Sequence, residues 1–260
     1  MIEFYEKMLE LMRSGKEFVL VKVVDRKGPA PTETGSSMIV FEDGSIFGTI
    51  GGGNLEYEAI KEAKERFKTK ENGLKDYKLD EIDMVCGGNV TIYFQVFKAR
   101  INVFIFGLGH IGISLLYHLK NLGYAVKLID TREQSIPEYI RVNKYEDFFN
   151  ENTIREDDFI VIATYSHDED FKILKEIYKR NLKVKYLAIV ASKNKIKIFK
   201  EEIMREFGNV DFSFLYSPAG LDIGGKTPDE IAISIISEMQ SVRYNKEKVR
   251  HLRDDIHNNR

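Results

Sequence analysis

Apolar and polar positions follow two periods along this chain. Over residues 2–14, Phe4, Tyr5, Met8, Leu9 and Met12 recur at helical spacing, and Gly15 suits the stop. Phe18-Val19-Leu20-Val21-Lys22-Val23-Val24 reads as a strand, followed by a polar, proline-bearing loop over 25–35. Ser37-Met38-Ile39-Val40-Phe41, the pair Asp43-Gly44, and Ser45-Ile46-Phe47-Gly48 predict a hairpin with an Asp-Gly turn. Gly51-Gly52-Gly53 comes next, and Asn54 is the expected N-cap of a helix reaching about Phe67. Strands are expected near 74–79 and 90–97. The first hundred residues therefore read as an α+β domain.

From Ile101 the pattern changes. It predicts strand 101–106, helix 110–122, strand 125–130, strand 159–164, helix 168–180, strand 184–190, helix 195–207 and helix 228–242. Such alternation argues for a parallel sheet covered on both faces. Thr227 and Glu230 form a capping box, with Pro228 at the first helical position.

The first of these βα junctions carries a fingerprint. Gly107-Leu108-Gly109-His110-Ile111-Gly112 follows an apolar strand and opens a helix, and the next strand ends in Asp130, 23 residues beyond Gly107. Glycines at 107, 109 and 112 permit a tight turn, a close approach to a pyrophosphate and close helix–strand packing. Asp130 is placed to accept from a ribose diol, while Arg132 either pairs with it or meets a 2′-phosphate. The expected fold is α/β: a C-terminal Rossmann-like, doubly wound parallel sheet preceded by a smaller α+β domain. The expected limits are 1–98 and 101–245, joined by Lys98-Ala99-Arg100, with a charged tail over 246–260.

Composition narrows the picture. The 260 residues are 43% hydrophobic, with 39 basic and 41 acidic side chains and a net charge of −2, so no general attraction to nucleic acid is expected. No apolar run reaches the roughly 20 residues that span a bilayer. The amphipathic start differs from a signal peptide. The single cysteine excludes an intrachain disulfide framework. A soluble cytoplasmic protein is expected.

Candidate chemistry gathers at five places. Gly51-Gly52-Gly53-Asn54-Leu55-Glu56 is a second strand–glycine–helix junction, suited to a phosphate, a pterin or an oxyanion, or to a tight bend between two backbones. Cys86, in Cys86-Gly87-Gly88, is either a buried hydrophobe or a thiolate offered to a transition metal or to sulfur. Thr164-Tyr165-Ser166-His167-Asp168-Glu169-Asp170 leaves the carboxyl end of a strand, where His167 is an acid–base candidate or a capping residue. Ser192 precedes Lys193, Lys195 and Lys197, cations at a helix start that oppose its dipole and hint at a bound anion. The glycine loop before Thr227 adds Asp222 and Lys226 as a candidate site wall.

Taken in order, GPAPTETGSSMIV (28–40), GTIGGGNLE (48–56), CGG (86–88), GLGHIG (107–112), TYSHDED (164–170) and SPAGLDIGGKTPDEIAISI (217–235) resemble the XdhC/CoxI family, accessory factors of xanthine dehydrogenase and related molybdenum hydroxylases. The resemblance covers nearly the whole chain. It implies a factor that binds molybdenum cofactor, a molybdopterin species, assists its sulfuration by a cysteine desulfurase and delivers it to an apo-hydroxylase client. By that analogy Gly51 to Glu56 and Cys86 face the pterin and its metal, with Cys86 a transient ligand, and the second domain holds a nucleotide moiety or NAD(P). A homodimer is expected. An NAD(P)-dependent oxidoreductase, with His167 or Cys86 near the nicotinamide, and a nucleotide-sensing regulatory module are the alternative readings.

Overall fold

A computed structural model describes residues 1–84, 87–246 and 249. Cys86 and most of the tail expected over 246–260 lie outside the described residues. The chain divides into two compact units, Met1–Arg100 and Ile101–Arg260.

Unit 1 runs α1 (Ile2–Ser14), β1 (Phe18–Lys27), β2 (Ser37–Val40), β3 (Ile46–Thr49), α2 (Gly53–Thr69), β4 (Gly73–Lys78) and β5 (Asn89–Phe97). Its sheet is antiparallel, in the order β3-β2-β1-β5-β4. Period-2 alternation sorts the strand residues to two faces. Val19, Val21 and Val23 of β1 turn toward α2, whose Leu55, Ala59, Ala63 and Phe67 complete that core. Phe18 and Leu20 turn the other way, to Leu11 and Met8 of α1. Gly15 ends α1 in the left-handed region, its N–H bonding back into the last turn.

Unit 2 runs β6 (Asn102–Phe106), α3 (His110–Leu119), β7 (Ala125–Asp130), β8 (Tyr139–Arg141), α4 (Phe148–Glu151), β9 (Phe159–Ile162), α5 (His167–Lys179), β10 (Tyr186–Ile189), α6 (Lys193–Phe207), β11 (Leu215–Tyr216) and α7 (Pro228–Arg243). The six strands are parallel, in the order β11-β10-β9-β6-β7-β8. Numbered within the unit, this is 6-5-4-1-2-3, the Rossmann order. All four residues of β9 and all four of β10 are buried, as strands covered on both faces must be. One face packs Leu115, Leu119, Ile235 and Met239 of α3 and α7. The other packs Phe148, Ile173, Ile177, Phe199 and Ile203 of α4, α5 and α6. The chain leaving β6 therefore crosses one face and the chain leaving β9 crosses the other. Their carboxyl ends form the switch point where such sheets bind ligands.

Several local expectations are corrected. Asn54 does not cap α2: Gly52, at φ 79°, takes that position, and the Asn54 amide donates to the Ile82 carbonyl instead. Three glycines let the chain turn into the helix earlier than a side-chain cap would allow. The helix expected over 110–122 stops at Leu119 and tightens into a 3-10 turn over Lys120–Leu122, released by Gly123. Strands β9 and β10 end at Ile162 and Ile189, short of the expected 164 and 190. Elements β8, α4 and β11 are shorter than the window in which periodicity declares itself.

Candidate functional site

In unit 1 three glycine segments distant in sequence meet. A Cβ on Gly51 would lie 2.5 Å from the Pro31 carbonyl oxygen and 3.1 Å from Thr32 Cβ. A Cβ on Gly88 would lie 2.3 Å from the Pro29 carbonyl oxygen. The loop over 28–35 is thus pressed between the turn before α2 and the turn before β5, and only glycine permits both approaches. Thr32 is buried there, and its hydroxyl has no hydrogen-bond partner among the described residues. Gly52 and Gly87 face open space.

The turn already holds an anion of its own. Glu56 Oε1 accepts from the N–H groups of Ile50 and Gly52, each at 3.0 Å, and from the Thr49 hydroxyl. The chain's own carboxylate fills part of the backbone nest expected for a ligand. The first N–H groups of α2, at Gly53 and Asn54, lack helical partners, as at any helix start. Met84 reaches Gly53 of this turn, and Gly88 packs on Pro29 of the loop over 28–35.

In unit 2 the fingerprint glycines have separate tasks. A Cβ on Gly107 would meet the Ala163 carbonyl oxygen at 2.2 Å, and one on Gly112 would meet the Gly107 carbonyl oxygen at 2.1 Å. The first lets β6 and β9 end side by side; the second seats α3 on the turn. Gly109 has no close neighbour and leaves its side of the turn open. Exposed His110 and half-buried Ile111 begin α3.

Asp130 is fully buried, and both its oxygens are engaged. Oδ2 accepts from Leu108 N–H at 2.6 Å and from Arg132 Nη2 at 2.8 Å. Oδ1 accepts from Arg132 N–H at 3.0 Å and Nε at 2.9 Å. Burial raises this carboxyl's pKa, but Arg132 and the two N–H groups outweigh it and hold it at about 2. Of the two roles open to Arg132, pairing is the one observed. A ribose diol would have to displace it, so NAD(P) does not fit this turn in the usual way as the residues stand. Tyr145 is also fully buried beside this pair; its hydroxyl has no hydrogen-bond partner among the described residues, and burial with the Asp130 charge raises its pKa.

A second cluster lies at the carboxyl edges of β9 and β10. Asp170 is 2% exposed. Its Oδ1 accepts from Thr164 N–H at 3.0 Å and the Thr164 hydroxyl at 2.7 Å, and its Oδ2 lies 3.5 Å from His167 Nδ1. The other ring nitrogen of His167 meets the Lys195 amine. Burial raises the Asp170 pKa despite these partners. Ser166 and Ser192 are the N-caps of α5 and α6, and neither hydroxyl caps its helix.

Asp222 and Lys226 lie in an exposed loop. Lys226 contributes its N–H to Glu230, extending the Thr227 capping box. The sequence signals did not single out Thr32 or Tyr145 as parts of a site, and they marked the segment holding Asp170 without giving that acid a role. A buried acid three residues after a histidine in the first turn of a helix was the available signal for Asp170. Among the described residues no group of three or more His, Cys, Asp or Glu is disposed to hold a metal ion.

These features define a two-part protein, a glycine-looped α+β unit followed by a dinucleotide-type parallel sheet. The chain belongs to the XdhC family: residues 103–239 match the XdhC Rossmann domain, and residues 11–78 match the XdhC and CoxI family. It is 27% identical, over 94% of its length, to uncharacterized protein YqeB of Escherichia coli (strain K12), covering 47% of that protein. It is 25% identical, over 59% of its length, to a probable xanthine dehydrogenase subunit of Bacillus subtilis (strain 168), covering 46% of it. It is 33% identical over 90 residues, 32% of this chain, to the molybdenum cofactor insertion chaperone PaoD of E. coli (strain K12), covering 28% of it. The chain thus spans about half or less of these relatives. A crystal structure described as a xanthine dehydrogenase from Bacillus halodurans shares the fold, with a TM-score of 0.50 at 18% identity over 95% of this chain and 97% of that one.

Proposed function

We propose that this chain is an accessory factor that binds molybdenum cofactor as cargo, assists its sulfuration and passes it to a xanthine dehydrogenase-type molybdenum hydroxylase. One relative is named a molybdenum cofactor insertion chaperone and another a probable xanthine dehydrogenase subunit, and both names support the reading. The observation that carries the reading is the meeting of the 28–35 loop with the Gly51–Gly53 turn and the Gly87–Gly88 turn, with the buried Thr32 hydroxyl, unpartnered among the described residues, beside Gly51. At Gly52 and Gly87, which face open space, side-chain-free backbone admits a flat heterocycle, whose amide and amino edges hydrogen-bond to main-chain groups. Cys86 lies between Met84 and Gly88 in the sequence, and its thiol serves as transient metal ligand or sulfur acceptor. A cysteine desulfurase is the sulfur-donating partner, and the factor acts as a homodimer.

The test is anaerobic incubation of the full chain with molybdenum cofactor, followed by gel filtration and pterin fluorescence. Pterin should co-elute with the protein. Cys86→Ala should keep the pterin but lower sulfuration of the client. Failure of the wild-type chain to retain pterin under reducing conditions would end this reading.

A further inference from the structure

We propose that Asp170, His167 and Lys195 form an anion-gripping relay at the carboxyl edge of the parallel sheet, and that it takes the phosphate or diphosphate end of a ligand seated at the switch point. The inference stands apart from the identity of the cargo, because it concerns only unit 2 and one chemical group.

The cluster is rich in donors and poor in free acceptors. Asp170 is its buried acid, and that carboxylate is taken by Thr164 and His167. With His167 Nδ1 turned to Asp170, Nε2 faces outward, where it meets the Lys195 amine. Two nitrogen groups therefore converge on one point, and His167 is exposed there. The Ser166 and Ser192 hydroxyls stand at the starts of α5 and α6 without capping them. Neither Lys193 nor Lys195 has a carboxylate within ion-pair distance among the described residues, and the first turn of α6 contains no acid. Of the other acids beginning α5, Glu169 is paired with Lys172 and Asp168 is exposed.

Cations at a helix N-terminus oppose its dipole. As the residues stand, Nε2 accepts from the Lys195 amine; an oxyanion that takes the place of this contact accepts from both nitrogens at once. A phosphate oxygen at the meeting point would accept from Lys195 Nζ and from the protonated Nε2 of His167. Asp170 is a positioning residue: it fixes the ring so that Nε2, and not Nδ1, meets the ligand.

The probe is inorganic pyrophosphate, titrated into the full-length protein while the His167 ring is followed by 1H–15N NMR and affinity by calorimetry. Pyrophosphate should shift the His167 signals. Lys195→Met and His167→Gln should each weaken binding about ten-fold, the effect of one charge-assisted hydrogen bond. Lys197→Met, further along the same helix, should change it little. Asp170→Asn should redistribute the His167 tautomer, which mere loss of packing would not do. ADP and free molybdopterin then separate the two phosphate sources; the true ligand shifts His167 more tightly than pyrophosphate does. The proposal falls if pyrophosphate leaves His167 unmoved, if folded Lys195→Met binds as the wild type does, or if neither larger probe exceeds pyrophosphate. Pterin retention on gel filtration reports on the cargo separately, so the two readings can fail independently.

Discussion

Two buried aspartates in unit 2 behave oppositely, and the reason is local. Asp130 is held below the usual carboxylate range by Arg132 and two N–H donors, so its folded pKa, about 2, lies under the ordinary 3.8. Its contribution to stability is present above about pH 4 and is lost as pH falls through about 2, and amounts to roughly 2 kcal/mol. Arg132→Met should cost about 1–3 kcal/mol at neutral pH, and the loss should shrink on acidification; urea unfolding at about pH 7 and pH 3 measures both. Asp170 goes the other way. Burial raises its pKa, so ionisation works against the fold as pH climbs through the folded pKa. Asp170→Asn should leave unfolding stability at neutral pH unchanged or slightly higher, even as it frees His167. A clear destabilisation would contradict this account.

At the level of elements, the parallel unit depends on one close approach. The seat of α3 exists because residue 112 has no side chain, its virtual Cβ lying 2.1 Å from a backbone carbonyl. Gly112→Ala should lift the helix from its turn and lower stability by roughly 1–3 kcal/mol, visible as a reduced thermal midpoint for unit 2. This junction was legible in the sequence because strand, glycines, helix and terminal acid come in a fixed order. So was the capping box at Thr227, whose chemistry is confined to four neighbouring residues. The partner of Asp130 was not legible, since spacing alone could not choose between an internal guanidinium and an external diol. The cap of α2 was misread because Asn54 has a good capping side chain, whereas Gly52 reaches a backbone conformation that Asn54 would adopt only under strain. The contact between His167 and Lys195 joins residues 28 apart on two helices, so only the sheet order brings them together.

For the whole molecule, the two units have separate cores, and the residues joining them form no regular element. Lys98, exposed in that connection, should be an early site of limited trypsin cleavage. The products should be two fragments that each unfold cooperatively; a single fragment resistant at Lys98 and degraded elsewhere first would argue otherwise. The Arg132 pairing bears on what such a protein meets inside a cell. Pyridine nucleotides are abundant, and a fold built for them would ordinarily be saturated by them. With its ribose handle already paired to its own guanidinium, this sheet would have to give up that ion pair to hold a pyridine nucleotide in the usual way, a cost that a ligand making no use of the diol would not meet.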